Sequence, residues 1–173
     1  MKKTIRALSV LLAAIMLLAC ATALAEDPDA SLTHAELITK YSALDLTPYQ
    51  GKVLYLNFFT EWCPYCMDEM PSIKKLYETY SPDALQVILV HVWDGEDQSN
   101  SDSIIKTYGL EDMTFFEDKD MKLSTLLSLT SYPLSVFFGK DGNIAVGGSG
   151  ALTYEKMAAT LDKLEVPLKG AGE

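Results

Sequence analysis

Cys63 and Cys66 stand three residues apart in the run Trp62-Cys63-Pro64-Tyr65-Cys66, where an apolar, aromatic segment gives way to a helical one. A thiol attacks only as thiolate, and the free N–H groups and macrodipole of a helix N-terminus stabilise that anion. Cys63 takes that position, so the sequence predicts it to be the more acidic and the more exposed sulfur. Cys66 falls one turn inside on the same face, close enough to bond to Cys63 and shielded from stray partners. Such a pair can attack a disulfide through Cys63, hold a mixed disulfide, and release it when Cys66 attacks. Pro64 suits the first helical turn, where no N–H is required.

Other uses of two sulfurs compete with this one. A structural disulfide closing so small a loop contributes only roughly 2 kcal/mol on the chain-entropy view. A zinc site needs four ligands, and beyond these cysteines the chain offers His34 and His91 without a second ligand pair at finger spacing. Soft thiolates also bind copper, so a copper- or peptide-binding module without catalysis is the alternative to an enzyme.

The third cysteine, Cys20, lies in an N-terminal address segment. Lys2, Lys3 and Arg6 precede an apolar run over residues 7–19, and Ala23-Leu24-Ala25 offers the small residues that a signal peptidase reads. Cleavage after Ala25 leaves 148 residues, enough for one domain with a full-sized core. Leu17-Leu18-Ala19-Cys20 resembles a lipobox, and membrane attachment is expected only if Cys20 is acylated. Leu18 is not favoured in that motif, which ranks it below the Ala25 site. Either route exports the protein. An exported chain using disulfides as staples would scatter its cysteines; this one concentrates them.

Three of the 14 cations lie in the leader, so 11 remain against 24 acids, a formal charge of −13. Arg6 is the only arginine. Nucleic acid is excluded as a partner, because phosphate neutralisation needs a basic surface, and no guanidinium remains for bidentate recognition of anions. No glycine-rich phosphate loop follows a strand, and Gly147-Gly148-Ser149-Gly150 reads as a turn, so no small-molecule cofactor is implied. The acidic stretch from Asp94 to Asp97 reads as a solvated loop before a calcium site. His91 reads as a strand-end residue before a catalyst.

The hydrophobic pattern supplies elements to position the pair. Residues 53–59 form a nearly continuous apolar run, as in a strand covered on both faces, and 85–92 form a second. A helix is predicted from the cysteines to about Tyr80, kinked at Pro71, which removes the bond to the Met67 carbonyl. Further helices are predicted from Thr33 to about Lys40, over the residues before Tyr108 and Gly109, over 121–129, and from an N-cap at Thr153 to about Leu164. Strands over 134–138 and 143–146 are joined by Lys140-Asp141-Gly142, a strong hairpin signal. Together these imply an α/β sandwich around a mixed sheet.

The stretch GKVLYLNFFTEWCPYCMDEMP, residues 51–71, resembles the thioredoxin superfamily and within it the TlpA/ResA-like exported thiol–disulfide oxidoreductases. Asn57 stands where thioredoxins carry a buried aspartate, a TlpA/ResA habit. Ser131-Tyr132-Pro133-Leu134 is placed like the family's cis-proline loop, and FFGKDGN, residues 137–143, like its terminal hairpin. The spacing from Cys63 to Pro133 fits the group's strand–helix insertion. The resemblance implies a three-layer α/β/α sandwich with a mixed central sheet over residues 44–165, between an extension over 26–43 and a tail over 166–173.

It also implies roles. Cys63 would attack and Cys66 resolve. Pro133 would be cis, leaving the backbone of Tyr132 free to pair with an extended substrate. Glu69 would face the thiols as a proton acceptor or pKa tuner, against a solvated helix carboxylate, and Trp62 would cover the disulfide, against plain core packing. The implied partners are protein thiol or disulfide substrates and an upstream electron-transfer protein at the membrane, with reduction the expected direction. Pro64-Tyr65 departs toward the glutaredoxin type, and that dipeptide tunes the potential. A peroxidase of the related peroxiredoxin type is disfavoured: Thr60 lies three before Cys63, but Leu56 replaces the expected proline and the activating arginine is missing.

Overall fold

The computed structural model describes residues 32–95 and 101–171. The predicted leader, Cys20 and the Ala25 site lie outside the described residues, as do Glu96 and Asp97 of the acidic stretch.

A five-stranded mixed sheet organises the domain in the order β3-β2-β1-β4-β5. β1 (Val53–Phe59) and β2 (Leu85–Val92) run parallel, with Val53 opposite Leu85 and Phe59 opposite His91. β3 (Thr114–Asp118) extends the parallel set beyond β2. β4 (Leu134–Phe138) pairs antiparallel with β1, and β5 (Ile144–Ser149) antiparallel with β4.

Side chains alternate across a strand, and β1 feeds two cores. Val53, Tyr55 and Phe59 pack on one face with Met70, Ile73 and Leu76 of α2 (Pro64–Thr79), Ile104 of α3 (Asp102–Tyr108) and Met157 and Leu161 of α5 (Tyr154–Lys163). Leu54, Leu56 and Phe58 pack on the other with Leu37 of α1 (His34–Lys40) and Leu123 of α4 (Lys122–Leu126). The result is the three-layer sandwich, with α2 continuing through Pro71.

Four expectations need correction. β3 falls in a stretch for which no strand was predicted from pattern; its residues are mostly half-buried and it closes on Glu117 and Asp118, so it lacks a continuous apolar run. The predicted 121–129 helix shrinks to α4, entered through Met121 at φ 55° and followed by Ser128 at φ 54°. Gly147 to Ser149 form no turn; they continue β5 opposite Val136, Ser135 and Leu134, an exposed edge where glycine needs no side-chain packing.

The core also reaches past both ends of the 44–165 span. Thr33 closes a capping box with Glu36, and Leu37 and Tyr41 lie in the second core. Val166 lies in the first, and the Ser81 N–H donates to the Pro167 carbonyl. If α1 shares the core in this way, Leu37→Ala will cost about 2–5 kcal/mol in urea unfolding; a cost near zero would restore residues 26–43 as a detached extension.

Candidate active site

Cys63 is the N-cap of α2 and Pro64 its first residue. The Cys66 N–H donates to Cys63 Sγ at 3.2 Å, a bond of the kind that favours charge on that sulfur. The two cysteines form a disulfide with Cα atoms 5.3 Å apart. Both sit in the apolar cluster with Phe59 and Met70, so Cys63, 3% exposed, is only marginally more accessible than Cys66. The expected exposure is therefore slight.

Beneath the pair lies a buried polar cluster. Asn57 faces Ser135 across the β1–β4 ladder, and Tyr55 lies two residues back on the same face of β1. The Asn57 amide donates to Tyr55 Oη, Ser135 Oγ and Glu69 Oε2, each at 3.3 Å. Glu69 also accepts from the Leu152 N–H at 3.1 Å and from Tyr55 Oη at 3.5 Å. The carboxyl is buried, which overturns the solvated reading. Burial pushes its pKa from 4.5 up to about 7, while the bonds from Leu152, Asn57, Tyr55 and Ser135 hold it back. Asparagine rather than aspartate at position 57 is consistent with this, because two carboxylates at 3.3 Å would repel. Glu69 lines a cleft of about 470 Å³ shared with Lys75, Leu152 and Tyr154.

The Tyr132–Pro133 peptide bond is cis. Phe58 pairs with Leu134, which sets Pro133 beside the end of β1 that leads to the cysteines. The Pro133 carbonyl accepts from the Gly150 N–H at 2.8 Å; among the described residues the backbone of Tyr132 has no such partner. Trp62 meets the Tyr132 ring edge-on at 5.7 Å and donates from Nε1 to Asp94 Oδ1 at 3.4 Å. It is 49% exposed, not packed in the core, and Tyr65 is 67% exposed. Burial, then the charges of Asp94 and Asp118, push the Tyr132 hydroxyl up to about 12.

Residues 25–146, more than half of the chain, match the AhpC/TSA family. The chain belongs to that family. It is 28% identical over 120 residues to the thiol-disulfide oxidoreductase ResA of Geobacillus thermodenitrificans, covering 69% of this chain and 67% of that one. Among solved structures it is similar to the exposed lipoprotein thioredoxin of Streptococcus pneumoniae (25% identity, TM-score 0.60, 68% of this chain and 89% of that one). A secreted disulfide oxidoreductase of Mycobacterium tuberculosis, at 21% identity, shares the fold (TM-score 0.59, 69% and 87% covered). With its cysteines bonded at a helix start, this AhpC/TSA member is a thioredoxin-like thiol–disulfide oxidoreductase.

Within this fold the sequence reading missed Tyr55 and Ser135. Tyr55 was signalled by its i, i+2 relation to Asn57, and Ser135 by lying two after Pro133. It also missed a network on β3. His91 is fully buried, stacked on Phe59, with Nδ1 at 2.8 Å from Glu117 Oε2. Glu117 also accepts from Trp93 Nε1 and from the N–H and hydroxyl of Ser101; burial opposes its charge, but these bonds win and lower its pKa. Among the described residues no group of three or more His, Cys, Asp or Glu is gathered to hold a metal ion.

Because its folded pKa is raised, Glu69 binds its proton more tightly in the native state. Its contribution is favourable below pH 4.5, weakens as pH rises toward 7, and is fully unfavourable above that. In Glu69→Gln this dependence disappears. Urea unfolding of the oxidised forms from pH 4 to 8 should show wild type losing up to about 3 kcal/mol relative to the variant; parallel profiles would refute the burial penalty.

Proposed function

We propose that the protein is exported, by cleavage after Ala25, and reduces disulfides in other exported proteins, apocytochromes c among them. The observation that carries this reading is the Cys63–Cys66 pair at the N-cap of α2, above a buried carboxyl. The Cys63 thiolate attacks one sulfur of a substrate disulfide; that S–S bond breaks and the departing thiolate takes a proton. Cys66, deprotonated with Glu69 as the nearby acceptor, then attacks Cys63 Sγ and releases the second substrate thiol. Two electrons and two protons pass to the substrate, and the enzyme is left as its disulfide. A membrane electron-transfer protein with its own dithiol resets the pair. During the attack, the cis-Pro133 loop offers the Tyr132 backbone to an extended substrate, and Trp62 flanks the sulfurs.

Two features support reduction rather than oxidation. The helix start and the Cys66 N–H favour a thiolate at Cys63, but Glu69 beneath and the carboxylates of the surrounding loops oppose negative charge on the reduced pair. An environment that resists thiolates favours the disulfide form, and so makes the dithiol the better reductant. The relatives named ResA and the secreted and surface-exposed neighbours accord with an extracytoplasmic site of action.

Insulin reduction by the processed protein tests the reading. Cys63→Ser should fall to the uncatalysed rate, and the wild-type pair, equilibrated in thiol buffers, should have a potential nearer about −270 mV than about −120 mV. Equal insulin rates for the two proteins would remove the reading; a potential near the oxidising value would reverse its direction.

A further inference from the structure

Glu69 lies between a dry side and an open one. On the dry side stand Tyr55, Asn57 and Ser135, all buried, and the Cys63–Cys66 disulfide, which is buried as well. On the open side is the cleft of about 470 Å³, walled by α2 through Ser72 and Lys75 and by residues 151–155, the turn that enters α5. None of Cys63, Cys66, Trp62, Tyr132 or Pro133 lines this cleft, so it is separate from the residues that would meet a substrate disulfide. The carboxyl is tied to its wall by the Leu152 N–H, which donates to Glu69 Oε1 at 3.1 Å. The titratable groups along the cleft are Asp68 and Lys75 from α2 and Tyr154 and Glu155 from α5, with Lys75 Nζ 3.8 Å over the Tyr154 ring. On the dry side they are Tyr55 of β1 and, when the disulfide is reduced, the two cysteines. Burial, then the Glu69 charge, push the Tyr55 hydroxyl far above its ordinary range, so it keeps its own proton.

Resting on the exchange reading above, we infer that this cleft is the proton port of Glu69: the proton taken from Cys66 leaves to solvent there while the substrate still covers the sulfurs. At the mixed-disulfide stage Cys63 Sγ is bonded to the substrate, and Cys66 must lose its proton before its sulfur can attack. The Cys66 S–H bond breaks and Glu69 gains the proton. The Cys63–Cys66 bond then forms, and the electron pair of the old S–S bond departs with the substrate thiolate. Glu69 is left with a proton to shed before the next cycle. Past the sulfurs the way is filled by buried side chains and by the substrate itself, whereas the cleft has room for on the order of ten water molecules. Burial, partly offset by its hydrogen bonds, holds the carboxyl near pH 7, where such a proton is readily exchanged.

Isotope labelling of the glutamate carboxyls, with Glu69→Gln to assign the signal, follows Glu69 by NMR through its titration in the oxidised protein. In wild type a single averaged line should move through the titration and sharpen as imidazole, a small proton carrier, is added at fixed pH. Ala151→Trp, and Ser72→Trp from the facing wall, fill the cleft. Each should slow proton exchange about tenfold, so that the line broadens near its midpoint and no longer responds to imidazole. Exchange as fast as wild type in both filled variants would overturn the port while leaving the exchange reading intact. A second measurement tests that reading by itself, following the mixed disulfide of Cys63 with an extended peptide thiol by acid quench and mass spectrometry. In Glu69→Gln it should decay about tenfold more slowly than in wild type at neutral pH. Decay at the wild-type rate would remove Glu69 as the acceptor, and the role of the port with it, whatever the line shapes show.

Discussion

In the exchange reading, a Cys63 sulfur that carries negative charge at the start of α2 is the constraint around which the neighbouring elements are arranged. Helix N-terminal N–H groups have no intrahelical acceptors, and here one of them, from Cys66, points at Cys63 Sγ. For the sulfur to occupy that place, β1 must end and α2 begin within four residues. The chain achieves this with a buried strand that stops at Phe59, a short turn in which the Cys63 N–H donates to the Thr60 carbonyl, and Pro64 as the first helical residue. β1 is the central strand, fixed by β2 on one side and β4 on the other. The position of Cys63 is therefore set by the most constrained strand of the sheet.

The same strand carries the counterweight. Tyr55 and Asn57 project from β1 toward α2, and the β4 register brings Ser135 opposite Asn57. α2 returns Glu69 into this group one turn after Cys66, and the turn before α5 closes it with the Leu152 N–H. Four elements thus meet on one carboxyl. A buried acid in such a place is costly when charged, and only partly compensated hydrogen bonds leave its pKa near neutrality. Burial outweighs the donors from Leu152, Asn57 and Tyr55, and a carboxyl held near neutrality is the kind that can exchange a proton near pH 7, as the proposed role of Glu69 requires.

The chemistry-bearing residues and the elements that hold them were readable because their signals are local. The cysteine spacing, the apolar run of β1, the Asp-Gly hairpin and the N-caps at Thr33 and Thr153 each declare themselves within a few residues. β3 was not readable because it is stabilised from outside its own sequence. Its two closing acids are absorbed by partners outside the strand: Glu117 takes donors from His91, Trp93 and Ser101, and Asp118 accepts from Tyr41 and from Leu123 and Ser124 at the start of α4. Without those partners, Glu117-Asp118 reads as the start of a loop. For Trp62 the core-packing alternative falls away, because its N–H bonds Asp94, its ring meets Tyr132 edge-on and half of the residue is exposed.

The Glu117 network ties the end of β2 and the start of α3 to β3. Glu117 fixes Trp93 and Ser101, the residues at which the described chain leaves β2 and enters α3, while His91 stacks on Phe59 at the end of β1. Trp93, next to the Asp94 that Trp62 bonds, is thereby held to β3. In the reading proposed above, the helix start and the Cys66 N–H pull the potential of the pair one way and the Glu69 carboxylate pulls it the other. In a two-electron couple a difference of 1.4 kcal/mol is about 30 mV, so a modest change in the balance between those two pulls moves such a pair along the scale between oxidant and reductant.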